Sequence, residues 1–192
     1  MSASIARHCS YEIHPPSKSE EEMSPALTRQ TVSLTRNVAE LVAAHAAAAP
    51  KAIAITDDGR VMTYGELDER ANRLANYLIE LGVGPEAIVG LCLDRSLLSV
   101  VSALAVLKSG GAFLPLDPAY PIERLLFMLN DAQPSVVITL DADAKNISRG
   151  RWKVLSIDGN ETYENYSADV PATTFSSEQL AYVIYTSGST GQ

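Results

Sequence analysis

From residue 37 onward, apolar and polar positions recur with the periods of helices and strands. Asn37 is a candidate N-cap for a helix whose apolar residues keep helical spacing until Pro50. Thr63 and Glu66 form a capping-box sequence, and the helix that follows carries a single apolar stripe that ends at Gly82. The stripe consists of Leu67, Ala71, Leu74, Leu78 and Leu81, and the other faces carry Asp68, Glu69, Arg70 and Arg73.

Short apolar runs without alternation follow, as expected of strands that are covered on both faces. Helical patterns separate them: residues 96–107 are apolar nearly all round, which predicts a buried helix, and residues 122–129 supply an apolar face after Pro121. This order predicts an α/β fold of layered βα units with a largely parallel sheet. Strands are predicted at 52–56, 61–63, 88–93, 113–116, 136–138, 153–157 and 180–185, and residues 140–179 are predicted to be loop with one of these strands embedded.

Residues 1–31 have a different character from the rest of the chain. They mix Ser, Glu, Pro and Met without a period, and they include Pro15-Pro16 and a run of three glutamates. Such a segment buries no apolar face, which predicts a flexible leader or linker. The ordered domain is therefore expected over residues 32–192.

The charge distribution excludes several classes of protein. The 192 residues include 15 Lys or Arg and 23 Asp or Glu, a net charge of −8, with no basic run. This balance argues against nucleic-acid binding, which depends on cationic contacts to phosphates. The longest strongly apolar run, residues 96–107, is shorter than the roughly 20 residues that cross a bilayer. With no signal-peptide pattern at the N-terminus, a cytoplasmic protein without a membrane anchor is expected.

The cysteines and histidines show no metal-binding or disulfide pattern. Cys9 lies in the polar leader, and Cys92 lies in an apolar strand-like run, where we expect a core residue and not a nucleophile. The three histidines have no acidic or thiol partners at metal-ligand spacing. No metal site is predicted.

Residues 186–191 carry a chemical signature. Glycines allow the backbone amides to turn toward a ligand, and consecutive amides with hydroxyl donors form a concavity suited to phosphate oxygens. The loop is not a Walker A motif, because no lysine follows Gly191. Its composition by itself also fits a solvated turn. The candidate phosphate-binding residues are Thr186, Ser187, Gly188, Ser189, Thr190 and Gly191.

Three motifs in order resemble one family. Residues 180–191 resemble the phosphate-loop motif of the adenylate-forming enzymes, the superfamily of AMP-dependent synthetases and ligases. Within it they are most similar to the amino-acid adenylation domains of nonribosomal peptide synthetases. Residues 62–67 resemble the first core motif of these domains, residues 107–117 resemble the second, and residues 117–124 match the segment that follows it. The resemblance covers about residues 32–192.

The resemblance implies a function for the terminal loop. In an intact enzyme, ATP and Mg²⁺ are the expected cofactors, and the loop would contact the β- and γ-phosphates of ATP while an amino acid is converted to its adenylate. A phosphopantetheinyl carrier protein would then receive the aminoacyl group. The first two motifs are architectural in the family, so no catalytic residue is assigned. Asp117 and Arg124 are expected to form an ion pair or turn contact, and Tyr182 and Tyr185 are expected to pack.

The family pattern also extends beyond this sequence. It continues with Pro-Lys-Gly after Gln192, and the amino-acid pocket, the magnesium ligand and a small C-terminal domain with a catalytic lysine follow. We therefore expect the N-terminal portion of the large domain of an adenylate-forming enzyme, incomplete and inactive by itself. The alternatives are a fragment of an acyl-CoA-type ligase and a non-catalytic nucleotide-phosphate binder. Residues 115–121 favour the amino-acid branch.

Overall fold

The structure is a computed structural model that describes residues 2–6, 37–148, 150–158, 163–176 and 178–186. The described helices agree with the hydrophobic patterning except in one region, considered below. The elements are β1 (Ser2–Ala6), α1 (Val38–Ala48), β2 (Ile53–Asp57), β3 (Arg60–Thr63), α2 (Tyr64–Glu80), β4 (Ile88–Cys92), α3 (Leu97–Lys108), β5 (Ala112–Leu116), α4 (Ile122–Ala132), β6 (Val136–Thr139), α5 (Asp141–Ile147), β7 (Lys153–Ser156), a 3₁₀ turn (Tyr163–Asn165) and β8 (Tyr182–Thr186).

A mixed sheet forms the centre of the described structure. Its strand order is β1-β8-β5-β4-β6-β7, and the five strands from β8 to β7 run parallel. β1 lies antiparallel to β8, with Ser2 opposite Thr186 and Ala6 opposite Tyr182. β2 and β3 form a separate antiparallel hairpin. The predicted α/β fold with a largely parallel sheet is confirmed.

Two apolar cores lie on opposite faces of this sheet because successive side chains of a strand point to opposite sides. In β6, Val136 and Ile138 belong to a first core that includes side chains of α2 and α3. Val137, between them, belongs to a second core that includes side chains of α4 together with Trp152. All three valine and isoleucine side chains are fully buried. A strand buried on both faces explains the apolar run without alternation.

Helix α2 begins and ends where the sequence predicts. The Thr63 hydroxyl accepts a hydrogen bond from the Glu66 amide, and the Glu66 carboxylate accepts one from the Thr63 amide at 2.8 Å. At the other end, Gly82 has a φ of +93°, the Gly82 amide donates to the Ile79 carbonyl, and the Val83 amide donates to the Leu78 carbonyl, both at 2.9 Å. This Schellman arrangement satisfies carbonyls that the helix leaves free. The stripe residues Leu67, Ala71, Leu74 and Leu78 are buried.

The prediction of loop over residues 140–179 was wrong at its beginning, where α5 forms. This helix has seven residues, no side-chain cap and a single buried residue, Ile147, so its sequence lacks the apolar period that predicts a helix. Its first turn is held by a contact distant in sequence: the Asp141 amide donates to Oδ1 of Asp158 at 2.7 Å. Because the stabilising carboxylate belongs to Asp158, which follows β7, the residues around the start of α5 carry no sequence signal for this helix.

The N-terminal segment yields a further difference. The sequence predicted a flexible leader over residues 1–31, and within it Ser2–Ala6 forms β1 along the outer edge of β8. Residues 7–36 lie outside the described residues. The division into a leader and a domain over 32–192 stays a prediction.

The polar side of α2 fixes a stretch of irregular chain. The Arg73 guanidinium donates to the carbonyls of Glu164 and Tyr166, at 2.8 and 2.9 Å. The Asn76 amide donates to the carbonyls of Ser167 and Asp169. Backbone carbonyls that lack partners in a sheet or helix are thus satisfied by side chains. Arg73 was predicted to lie on a face other than the apolar stripe. It also makes a tertiary contact, because its guanidinium binds the irregular chain.

Candidate functional site

The end of β8 places the start of the predicted phosphate loop at the carboxyl edge of the parallel sheet. β8 runs parallel to β5, with Tyr182 opposite Phe113, and the two rings are stacked with their centroids 5.8 Å apart. Thr186, its last residue, is exposed. Open α/β sheets bind their ligands outside the carboxyl ends of the strands. Ser187, Gly188, Ser189, Thr190 and Gly191 lie outside the described residues, so their phosphate-binding role stays a prediction.

Both tyrosines of β8 pack, as the sequence predicted. The Tyr185 hydroxyl donates to Oδ2 of Asp131 on α4 at 2.5 Å. Burial, and then the Asp131 carboxylate, raise the pKa of Tyr185 above its ordinary value. The phenol is therefore a neutral anchor between β8 and α4, which places the exit of β8 beside that helix.

An aspartate follows each of four neighbouring parallel strands at the same edge. Because the carboxyl ends of parallel strands meet there, these four aspartates lie along one edge of the sheet, together with Arg95, which directly follows Asp94. Within the described ranges, no group of three His, Cys, Asp or Glu side chains is placed to hold a metal ion. The four residues are Asp94 after β4, Asp117 after β5, Asp141 after β6 and Asp158 after β7.

Asp117 and Arg124 do not pair in the described structure. Oδ1 of Asp117 accepts a hydrogen bond from the Ala119 amide at 2.9 Å, which is the predicted turn contact. The Arg124 guanidinium carbon lies 3.9 Å from the centre of the Tyr120 ring. Its Nε atom is buried and has no hydrogen-bond partner among the described residues. The contact between the Arg124 guanidinium and the Tyr120 ring has no signal in the sequence pattern.

Lys108 of the second motif is buried, with 3% of its surface exposed. Nζ donates to Oδ1 of Asp68 at 2.8 Å and to Oδ1 of Asn72 at 2.7 Å, while the Asn72 amide donates to the Ala168 carbonyl. This network joins α2, α3 and the irregular chain, so Lys108 is a structural contact; the architectural role of the whole motif stays a prediction. Asp68 lies outside the apolar stripe, as the sequence predicts, but its side chain is only 16% exposed because it pairs with Lys108. The sequence feature that could have indicated this network is the i, i+4 spacing of Asp68 and Asn72 beside the apolar stripe, which places the two polar side chains next to each other on α2.

Cys92 lies at the end of β4 with 1% of its surface exposed. Burial raises the pKa of the thiol to about 11, so the thiol stays protonated at neutral pH. The prediction of a core residue is confirmed. Cys9 lies outside the described residues.

The comparisons with known proteins agree with the resemblance in the motifs. Residues 42–192 match the family model described as "AMP-binding enzyme". The chain belongs to this family. The malpinin synthetase of Mortierella alpina is 47% identical over 147 residues, which is 74% of this chain and 2% of the synthetase. The dimodular nonribosomal peptide synthase of Bacillus subtilis is 46% identical over 155 residues, 76% of this chain and 6% of that protein.

A solved structure shows the same fold. The nonribosomal peptide synthetase FmoA3, in a form with α-methyl-L-serine-AMP bound, superposes with a TM-score of 0.73 at 30% identity. The match covers 78% of this chain and 17% of that chain. The chain thus spans less than a fifth of the length of each of these three proteins. Among the helices of the described ranges, none is long and apolar enough to cross a membrane.

Proposed function

We propose that this chain contributes the nucleotide-phosphate-binding part of an amino-acid-activating adenylation domain in nonribosomal peptide synthesis. The observation that carries the proposal is the position of Thr186. It ends a parallel strand at the ligand-binding edge of the sheet and begins the loop that resembles the family's phosphate loop. The similarity to the dimodular nonribosomal peptide synthase of Bacillus subtilis at 46% identity, and to the nonribosomal peptide synthetase FmoA3 at 30%, supports the amino-acid branch of the family.

The chemistry assigned to the loop is electrostatic. Backbone amides and the hydroxyls of residues 186–190 would hold the β- and γ-phosphates of ATP. An amino-acid carboxylate would then attack the α-phosphorus, forming the aminoacyl adenylate as the bond to pyrophosphate breaks. Fixed donors lower the barrier because they stabilise charge that develops on the leaving group. The adenylate would acylate the thiol of a carrier protein.

We further propose that the 192-residue polypeptide by itself binds nucleotide phosphate without completing the reaction. In the family that the motifs resemble, the catalytic lysine, the magnesium ligand and the amino-acid pocket lie beyond the segment that corresponds to these 192 residues. The loss of a single preorganised donor to a developing oxyanion already costs about 10²–10³-fold in rate. Mg²⁺, the amino-acid pocket and the carrier protein belong to the intact domain in this proposal.

The proposal is tested by calorimetric titration of the 192-residue chain with inorganic pyrophosphate and with ATP in the presence of magnesium. We expect saturable binding that is strongly weakened in the double variant Ser189→Ala, Thr190→Ala. The matched control is Ser176→Ala, which removes a hydroxyl from the segment that precedes β8, at the opposite end of the strand from Thr186. Binding that the double variant leaves unchanged would contradict the phosphate site.

A second measurement addresses turnover. Exchange of labelled pyrophosphate into ATP is followed with a mixture of the common amino acids. We expect no exchange above the control without protein. Amino-acid-dependent exchange by this chain would show that it completes the reaction and would overturn the proposed inactivity.

A further inference from the structure

The outer edge of β8 is covered by a strand that is distant in sequence. β1 lies antiparallel to β8 in an unbroken register, from Ser2 opposite Thr186 to Ala6 opposite Tyr182. On its other side β8 pairs with β5, so β1 is the neighbour of β8 at the end of the parallel sheet. The backbone amides and carbonyls that point outward from β8 therefore find their partners in β1.

The sequence of β8 carries none of the usual protection of an edge strand. All five of its residues are aromatic or β-branched, the types that favour strand pairing, and none is charged or a proline. Its register with β1 contains no bulge. The strand at the opposite end of the sheet differs: β7 has four residues and begins with Lys153, which is exposed. A strand such as β8, left without a cover, is a template for another strand.

The geometry of β8 suits pairing with its own copy. β1 shows that the outer edge accepts an antiparallel strand, with Ser4 opposite Ile184 at the centre. If β8 of a second copy took this register, Ile184 would lie opposite Ile184, and Tyr182 would lie opposite Thr186 in both directions. Such a pair has two-fold symmetry, as the interfaces of most dimers do. Tyr182 and Ile184 are 38% and 40% exposed, and cross-strand pairs of aromatic and β-branched side chains stabilise a sheet.

We infer that the outer edge of β8 is a self-association surface, whose partner is a second copy of this chain, and that β1 blocks it within one molecule. β1 replaces β8 as the outermost strand, and its sequence of two serines, two alanines and one isoleucine offers little cross-strand contact to a further copy. The inference is independent of the proposed function.

The test removes the pairing ability of β1 in the full 192-residue chain. The triple variant Ala3→Pro, Ser4→Pro, Ile5→Pro, called the proline variant, lacks the amide donors at the centre of the strand. Its matched control, Ala3→Ser, Ser4→Ala, Ile5→Val, changes the same positions and keeps every amide. Sedimentation velocity over a range of concentrations measures self-association. We expect the proline variant to associate at least about tenfold more tightly than the unmodified chain or the control.

A charge on β8 identifies the surface through which the copies associate. In the proline variant, Ile184→Lys would place two like charges opposite each other at the centre of the pair, so self-association should weaken by about tenfold or more. Val61→Lys in the same background is the control. Val61 is 51% exposed on the separate β2–β3 hairpin, and the same added charge there should leave self-association unchanged.

Hydrogen–deuterium exchange shows whether β1 covers the edge. At concentrations at which both proteins are monomeric, amides of β8 should exchange more slowly in the unmodified chain than in the proline variant. Equal exchange would overturn the inference, as would a folded proline variant that associates no more than the unmodified chain. Equal effects of Ile184→Lys and Val61→Lys would exclude β8 as the surface. If thermal unfolding shows that the proline variant is not folded, Ser4→Pro compared with Ser4→Ala decides by the same measurements.

Discussion

Nζ of Lys108 lies 2.8 Å from Oδ1 of Asp68, and this ion pair joins the two helices that cover one face of the sheet. The lysine side chain is 4% exposed and the aspartate side chain 16%. Asn72 accepts the second hydrogen bond of the ammonium and donates to the Ala168 carbonyl. A buried charge is tolerated here because hydrogen bonds replace the water it loses.

Removal of Lys108 should strongly destabilise the fold. Lys108→Met keeps the length of the side chain but leaves the Asp68 carboxylate half-buried without its partner, so the free energy of unfolding should fall by about 2–4 kcal/mol. The double variant Asp68→Leu, Lys108→Met should recover most of this loss, because neither charge remains buried. Urea denaturation measures the free energy of unfolding of the unmodified chain, of the single variant and of the double variant.

Glu69→Ala is the matched control for the Lys108 variants. It breaks the Arg73–Glu69 pair, in which the glutamate side chain is 54% exposed. Exposed ion pairs contribute little to stability, so we expect the free energy of unfolding to change by less than about 0.5 kcal/mol. If Lys108→Met cost no more than Glu69→Ala, the buried network would not stabilise the fold.

Gly82→Ala should destabilise the C-terminal end of α2. The φ of +93° at this residue is a conformation in which a Cβ is strained, so a cost of about 1–2 kcal/mol is expected. Gly84→Ala, two residues later, is the control, because an added Cβ there meets nothing within 4 Å. The free energy of unfolding of the two variants is compared by thermal or urea unfolding. Equal decreases in the two variants would show that the left-handed conformation of Gly82 is not the cause.

Glu66 should make the stability of the fold depend on pH. Hydrogen bonds from the Thr63 amide and the Thr63 hydroxyl lower the pKa of this carboxyl below 4.5 in the folded chain. A lowered folded pKa contributes stability that is present above the unfolded pKa and is lost as the pH falls through the folded pKa. The stability difference between the unmodified chain and Glu66→Gln should therefore be present at neutral pH and disappear in acid. A difference that stays constant across this range would contradict the charged capping box.

Cys92 should be unreactive in the folded chain. A thiol pKa of about 11, against the ordinary 9.0, lowers the thiolate fraction at pH 8 by about 100-fold, and burial reduces access further. Alkylation by iodoacetamide is measured in a Cys9→Ser variant, with and without denaturing urea. Comparable rates in the two conditions would mean that Cys92 is accessible in the folded state.

The sequence determined the elements whose signals are local. The capping box at Thr63, the stripe of α2 and the left-handed Gly82 depend on residues within one or two helical turns, and the structure has each of them. The order of strands and helices predicted the parallel sheet, since crossover connections force it. The motifs at residues 62–67, 107–117 and 180–191 predicted the family, because all three resemble its motifs and occur in the same order, and residues 42–192 match its model.

Tertiary structure alone decided the features that depend on residues distant in sequence. α5 forms where Asp158 caps its first turn, β1 forms along β8, and Asp68 becomes the partner of a lysine 40 residues later. Arg124 was expected to contact Asp117, but in the folded chain its guanidinium lies on the Tyr120 ring, and its Nε has no partner among the described residues. A hydrophobic pattern records whether a residue faces a core, but the energy of a charged side chain depends on which groups surround it after the chain has folded.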